Sequence, residues 1–171
     1  MDYLSKIEQL LGSWKRLPEY PFHGEFDYAV FPSLNDELVD EVLYEAIFEM
    51  NEQLGNREFI FKAFVDVSNK MPDLLVQTQK CWKHVDKFQA SNLVYEGFYT
   101  TGDRLNWLGI YHPDDYFVVG AKKEILEGLC LKLYGHLDWN REFVSKYEDG
   151  HLEMYSEDFE VLNNTLIKKG L

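Results

Sequence analysis

The sequence predicts an α+β fold: a single domain spanning residues 1–171, with a mixed or antiparallel sheet of about five strands and helices packed on it. Three observations carry this reading. Apolar residues recur at helical spacing in some segments and alternate in short runs in others, so neither an all-α nor an all-β chain fits. Asn92 to Gly120 reads as three consecutive strands joined by short turns, an antiparallel pattern. No repeat, linker or low-complexity tract divides the 171 residues, and that length suits one core burying roughly 70% of the unfolded surface.

The elements follow in chain order. Leu4, Ile7, Leu10, Leu11 and Trp14 share one helical face, with Asp2 as cap, which predicts a helix over Asp2–Trp14. Pro18 and Pro21 end that regularity. Phe26–Phe31 is a short aromatic and β-branched run, expected to be a strand. Ser33 or Asn35 then caps a long helix that reaches Leu54 and stops at Gly55. Glu58–Val67 is the best strand candidate, apolar on both faces near its start and therefore central in the sheet. Pro72–Ala90 is expected to be a helix on the spacing of Leu74, Thr78, Cys81, Val85 and Phe88, with Leu74–Val76 as a competing strand. The three antiparallel strands are Leu93–Tyr99, Leu105–Tyr111 and Tyr116–Gly120. Thr101-Gly102-Asp103 is the first loop, with a residue free to take positive φ, and His112-Pro113-Asp114-Asp115 is a type I turn. Helices are predicted at Ala121–Tyr134, stopped by Gly135, at Trp139–Tyr147, and at Asp158–Lys169 with Ser156 as N-cap.

Charge is the strongest organisational signal. The chain holds 30 acidic and 17 basic residues, a formal net charge of −13. From Leu17 to Asn56 there are ten acidic residues and no Lys or Arg, so this stretch carries −10 of the −13. A sequence pI near 4.7 disfavours phosphate backbones and anionic lipid, so neither nucleic acid nor membrane is an expected partner. No apolar run approaches the roughly 20 residues that span a bilayer, and the opening Met1-Asp2-Tyr3 has no basic, apolar leader pattern. Cys81 and Cys130 form neither a disulfide framework nor a four-thiolate zinc site, and reduced thiols in the cytoplasm are expected.

The acidic helix reads as a surface. On a helical wheel, Leu38, Val39, Val42, Leu43, Ala46, Ile47, Met50 and Leu54 form a broad core-facing stripe. Glu37, Glu41, Glu45 and Glu52 lie on the polar side, and Tyr44 and Phe48 fall among the carboxylates. No Lys or Arg stands at i+4 to offset the charge, and neighbouring carboxylates repel by a few tenths of a kcal/mol per pair. The two aromatics have two readings. Another segment covers them, such as the loop Pro18–Gly24, or they are exposed anchors of a binding face that the acids steer onto a basic partner. The second reading assigns partner binding to Glu37, Glu41, Tyr44, Glu45, Phe48, Glu49 and Glu52.

Catalytic patterns are scarce. The phosphate-loop and dinucleotide glycine spacings are absent, as are the nucleophile elbow and the His-Glu-x-x-His zinc helix. His112, Asp114 and Asp115 share one turn, where an imidazole and two carboxylates suit a divalent metal or an acid–base pair. Cys81 and His84 are three residues apart on the expected helix, although Cys81 lies on its apolar register. His136 and Asp138 form a candidate tautomer-fixing pair. Tyr95, Phe98, Tyr99, Trp107, Tyr111, Tyr116 and Phe117 alternate along the three strands, as a sheet core with a partly exposed Tyr face. No cofactor and no metal are expected. The function these features favour is an acidic protein-binding domain that recognises or neutralises a basic partner protein, of the immunity type that blocks a toxin. The alternative is a small hydrolase or metal-binding domain using His112, Asp114 and Asp115.

Overall fold

The strands of this protein carry apolar side chains on both faces, so the sheet has to be covered on both sides. The computed structural model describes residues 7, 26–32, 39–63, 74–91, 97–112, 116–151, 156, 157, 159, 160 and 163. Among these, β1 (Asp27–Pro32), α1 (Glu41–Gln53), β2 (Phe59–Ala63), β3 (Leu74–Gln77), α2 (Trp82–Ser91), β4 (Phe98–Gly102), β5 (Leu108–His112), β6 (Tyr116–Ala121), α3 (Lys123–Tyr134) and α4 (Trp139–Glu148) follow in order. The six strands form one sheet in the order β1-β6-β5-β4-β2-β3. Every pairing is antiparallel, with Val30 opposite Val118, Ile110 opposite Val118, Tyr99 opposite Ile110, Phe61 opposite Thr100 and Ile60 opposite Val76. The expected α+β class holds, with six strands in the described sheet against the expected five or so.

Alternation divides the core into two layers. On one face Phe31, Phe59, Phe61, Phe98, Tyr111, Phe117 and Val119 meet α1, α2 and α3. On the other, Tyr28, Val30, Tyr99, Leu108, Tyr116 and Val118 meet Ile7 and Phe143, with Tyr147 and Phe159 packed alongside. Rings pair across the first layer: Phe59 lies 4.6 Å from Phe61 between centroids and 5.7 Å from Trp107, and Phe98 stacks on Tyr111 at 5.1 Å. Such contacts add about 0.5–1.5 kcal/mol each beyond the area they bury. The aromatics of the three-strand region are therefore core. Phe98, Tyr99, Trp107, Tyr111, Tyr116 and Phe117 are all buried, and no exposed Tyr face exists there among the described residues. Tyr95 lies outside them.

Several boundaries differ from expectation for identifiable reasons. The long helix starts at Glu41, not near Ser33 or Asn35. Asp40 caps it, its Oδ1 accepting the Leu43 N–H at 2.7 Å. Just before, the buried Gln89 side chain accepts the Val39 N–H at 2.8 Å and donates to the Val39 carbonyl at 3.2 Å. A backbone bonded that way on both sides cannot also be helical. The expected helix over Pro72–Ala90 is instead β3 followed by α2, because Leu74–Gln77 pair with β2. Thr101 and Gly102 belong to β4, the turn falls at Asp103-Arg104, and the positive φ is at Leu105, 53°. Gly135 does stop α3 in the left-handed conformation, φ 76°. Ser156 is already helical rather than a cap. Of the expected helices Asp2–Trp14 and Asp158–Lys169, only Ile7 and residues 159, 160 and 163 are described.

A polar clamp fixes α1 on the sheet. Asn51 Oδ1 accepts the Trp107 indole N–H at 2.8 Å, and Asn51 Nδ2 donates to the Glu58 carbonyl at 3.2 Å. Asn56 Nδ2 donates to the Asn51 carbonyl at 3.2 Å and to Asn106 Oδ1 at 2.9 Å, while its Oδ1 accepts the Arg104 N–H at 2.9 Å. Asn106 Nδ2 closes the ring on the Leu54 carbonyl at 3.1 Å. Asp103 Oδ1 accepts the amides of Arg57 at 2.8 Å and Glu58 at 3.2 Å. Gly102 is required here for space: a Cβ would stand 2.2 Å from Asn56 Cγ and 2.4 Å from Asn51 Oδ1. Gly102→Ala is expected to destabilise the fold by about 1–3 kcal/mol, read as a lower urea midpoint with an unchanged slope.

Candidate partner-binding face

The clamp sets which side of α1 meets water. Leu43, Tyr44, Ala46, Ile47, Phe48, Met50 and Asn51 are buried. The centre of this buried arc is turned by about 90° from the stripe that Val39, Val42 and Leu54 suggest, at 100° per residue. Val42, expected in the core, is 57% exposed. Tyr44 and Phe48, expected in one reading as exposed anchors, are 1% and 5% exposed. Their cover comes from β2 and α2: Tyr44 lies 5.9 Å from Phe59 and 5.4 Å from Trp82, and Phe48 5.6 Å from Phe59. The loop Pro18–Gly24, the cover suggested by sequence, lies outside the described residues, as does Glu37.

Tyr44 has a structural role beyond packing. Its hydroxyl donates to Gln77 Oε1 at 3.0 Å and accepts the Cys81 N–H at 2.7 Å. Gln77 Nε2 in turn donates to the Cys81 carbonyl at 2.8 Å. Burial pushes the phenol pKa above its ordinary 10.0 against these hydrogen bonds, so the group stays neutral and satisfied.

The rotation that hides the aromatics turns the carboxylate arc outward. Glu41, Glu45, Glu49 and Glu52 now lie within about 80° of one another around the helix axis, with Val42 beside them. Glu41, Glu45 and Glu52 are exposed and Glu49 is half-buried. Two of the four are offset by lysines distant in sequence. Lys80 lies 3.2 Å from Glu45, and Lys132 of α3 hydrogen-bonds Glu49. No ion pair joins Glu41 or Glu52 among the described residues. The Lys132 hydrogen bond holds the Glu49 carboxyl below its ordinary 4.5.

Between α1 and α3 runs a groove of about 110 Å³. Ala46 and Met50 floor it from α1 and Ile125 and Leu129 from α3, while Glu49, Glu124 and Lys132 stand at its rim. Gly128 lines it from mid-helix, where a Cβ would meet nothing within 4 Å. A helix-interior glycine costs about 1 kcal/mol relative to alanine, and no packing contact here requires it.

No family model, curated protein or solved structure matches this chain. Among the described residues, no cluster of three or more His, Cys, Asp or Glu is placed to hold a metal. No described helix is long and apolar enough to cross a membrane. Asp114, Asp115 and the His112 side chain lie outside the described residues, and so does His23. His84 and His151 are exposed. Cys81 precedes α2 rather than sharing its face with His84, and Cys130 is buried, its thiol pushed up to about 11 by burial. His136 pairs with Glu142, not Asp138: its Nε2 lies 2.8 Å from Glu142 Oε1 and its Nδ1 accepts the Asp138 N–H at 3.2 Å. Asp138 instead caps α4, accepting the Arg141 N–H at 3.1 Å. The α1–α3 groove and the Lys80 and Lys132 contacts are invisible to local spacing. The one sequence signal for the groove is a glycine inside a helical pattern.

Tyr44→Phe leaves Gln77 Oε1 and the Cys81 N–H without their partner, and should lower stability by about 1–3 kcal/mol in chemical denaturation. The Glu49 carboxyl should titrate below 4.5 by NMR and return toward that value in Lys132→Ala. With its folded pKa depressed, the stability Glu49 contributes is present above the ordinary value and lost as pH falls through the depressed one.

Proposed function

We propose that this chain is an acidic protein-binding domain whose α1 face recognises a basic partner protein. One observation carries the reading: four glutamates share one exposed arc of α1, and Glu41 and Glu52 have no ion pair among the described residues. Carboxylates at i and i+4 on one helix repel, and a cationic partner relieves that repulsion while gaining its own contacts. The field of such a face raises encounter rates with basic proteins and falls off with salt. Val42, 57% exposed at the margin of the arc, supplies an apolar contact beside the glutamates. Neutralisation of a cationic toxin, as an immunity-type inhibitor does, is the specific form of this activity we favour. Two free cysteines, Cys81 and Cys130, fit a reducing compartment such as the cytoplasm.

The test compares the wild-type chain with a Glu41→Lys, Glu45→Lys, Glu52→Lys variant matched for thermal stability. Immobilised wild type is expected to retain a single basic protein at one-to-one stoichiometry, with an association rate that drops at least about tenfold between low and high salt. The variant should lose that capture. Equal capture by both chains, or a bound protein that is not basic, rejects the proposal.

A further inference from the structure

We infer that the groove between α1 and α3 is a socket for one arginine side chain of the basic partner, which displaces Lys132 from Glu49. The inference rests on the basic-partner reading and adds to it a place and a chemical group.

The dimensions suit that occupant. The groove is half-open, so its volume of about 110 Å³ need hold only the planar guanidinium while the methylenes lie along its apolar floor. The lining matches the group in both parts. Ala46, Met50, Ile125 and Leu129 offer an apolar floor for the stem, and Glu49 and Glu124 offer carboxylates for the head. Arginine is favoured over lysine because its planar, weakly hydrated guanidinium pairs with carboxylates through two hydrogen bonds and tolerates burial better.

The protein already displays the chemistry in its own structure. The Lys132 ammonium sits on Glu49, with both side chains more than two-fifths exposed, 42% and 43%. An ion pair this exposed is weak, so an incoming cation can exchange with it. Lys132 thus serves as an internal occupant of the rim that a better-matched cation replaces. Gly128 leaves its side of the socket unfilled, since even a Cβ there would meet nothing within 4 Å.

The experiment uses the full chain, isotopically labelled for NMR, titrated with acetyl-Gly-Arg-Gly-amide. The same peptide with citrulline in place of arginine serves as the uncharged twin. Saturable shifts centred on Ala46, Met50 and Gly128, absent with citrulline, are expected. Gly128→Met should abolish them, and Glu49→Gln should weaken binding about tenfold. Lys132→Gln should tighten binding roughly two- to fivefold by removing the competitor. Lys123→Gln changes the net charge equally on the same helix, at a side chain 60% exposed and 4.0 Å from Glu127, and should leave binding unchanged. Equal effects of the two lysine variants would mean diffuse charge alone and overturn the socket. Shifts confined to Glu41, Glu45 and Glu52 would also overturn it while leaving the basic-partner face standing. No shift anywhere overturns the socket too, and capture by the immobilised chain then decides the face separately.

Discussion

The Asn51 amide is the contact on which the rest of this architecture turns. It bonds a tryptophan from the approach to β5 through its oxygen and the backbone before β2 through its nitrogen. A helix free to roll on an aromatic layer could settle in several orientations, since rings tolerate many packings. Two directional hydrogen bonds from one buried amide remove that freedom. Tyr44, two turns earlier, makes a second fixed attachment through Gln77 and Cys81. With both ends of α1 tied, its outward arc is determined, and that arc is glutamate.

The charge of the chain acquires a structure of its own as a result. Glu45 and Glu49 are met by cations from elsewhere in the fold, one before α2 and one on α3. The acidic helix is thus partly neutralised along the edges where it meets its neighbours and left charged toward solvent. Surface pairs of this kind contribute little to stability. Their effect is to sharpen the field, confining it to the residues with no internal counterion.

Much of the fold was legible in the sequence. The non-edge position of β2 followed from its two apolar faces, the end of α3 from Gly135, and the antiparallel run β4-β5-β6 from three closely spaced apolar segments. What failed did so for tertiary reasons. Local spacing put Val42 inside and left Tyr44 and Phe48 among the acids, because a helical wheel weighs apolar residues without knowing where Asn51 and Tyr44 find partners. Gln89 shortened α1 from 50 residues away in sequence, and the pairing of Leu74–Gln77 with β2 overrode a helical pattern. The acidic face itself was legible as a run without Lys or Arg. Its groove was not, since Lys132 and Glu49 are 83 residues apart.

Among the described strands the sheet order leaves β3 at one margin, four residues long, with Leu74 and Val76 exposed at 37% and 39%. An edge strand with apolar side chains in water is a template for pairing with another copy. Nothing in β3 itself opposes this, having neither proline nor charge. The opposition comes from the molecule as a whole: chains of net charge −13 repel one another before their edges meet. That protection is electrostatic and fades as the screening length shrinks from about 10 Å at 0.1 M salt to about 3 Å at 1 M. Colloidal stability and partner attraction thus draw on the same surplus of carboxylates, and a partner that neutralises the face also removes what keeps the copies apart.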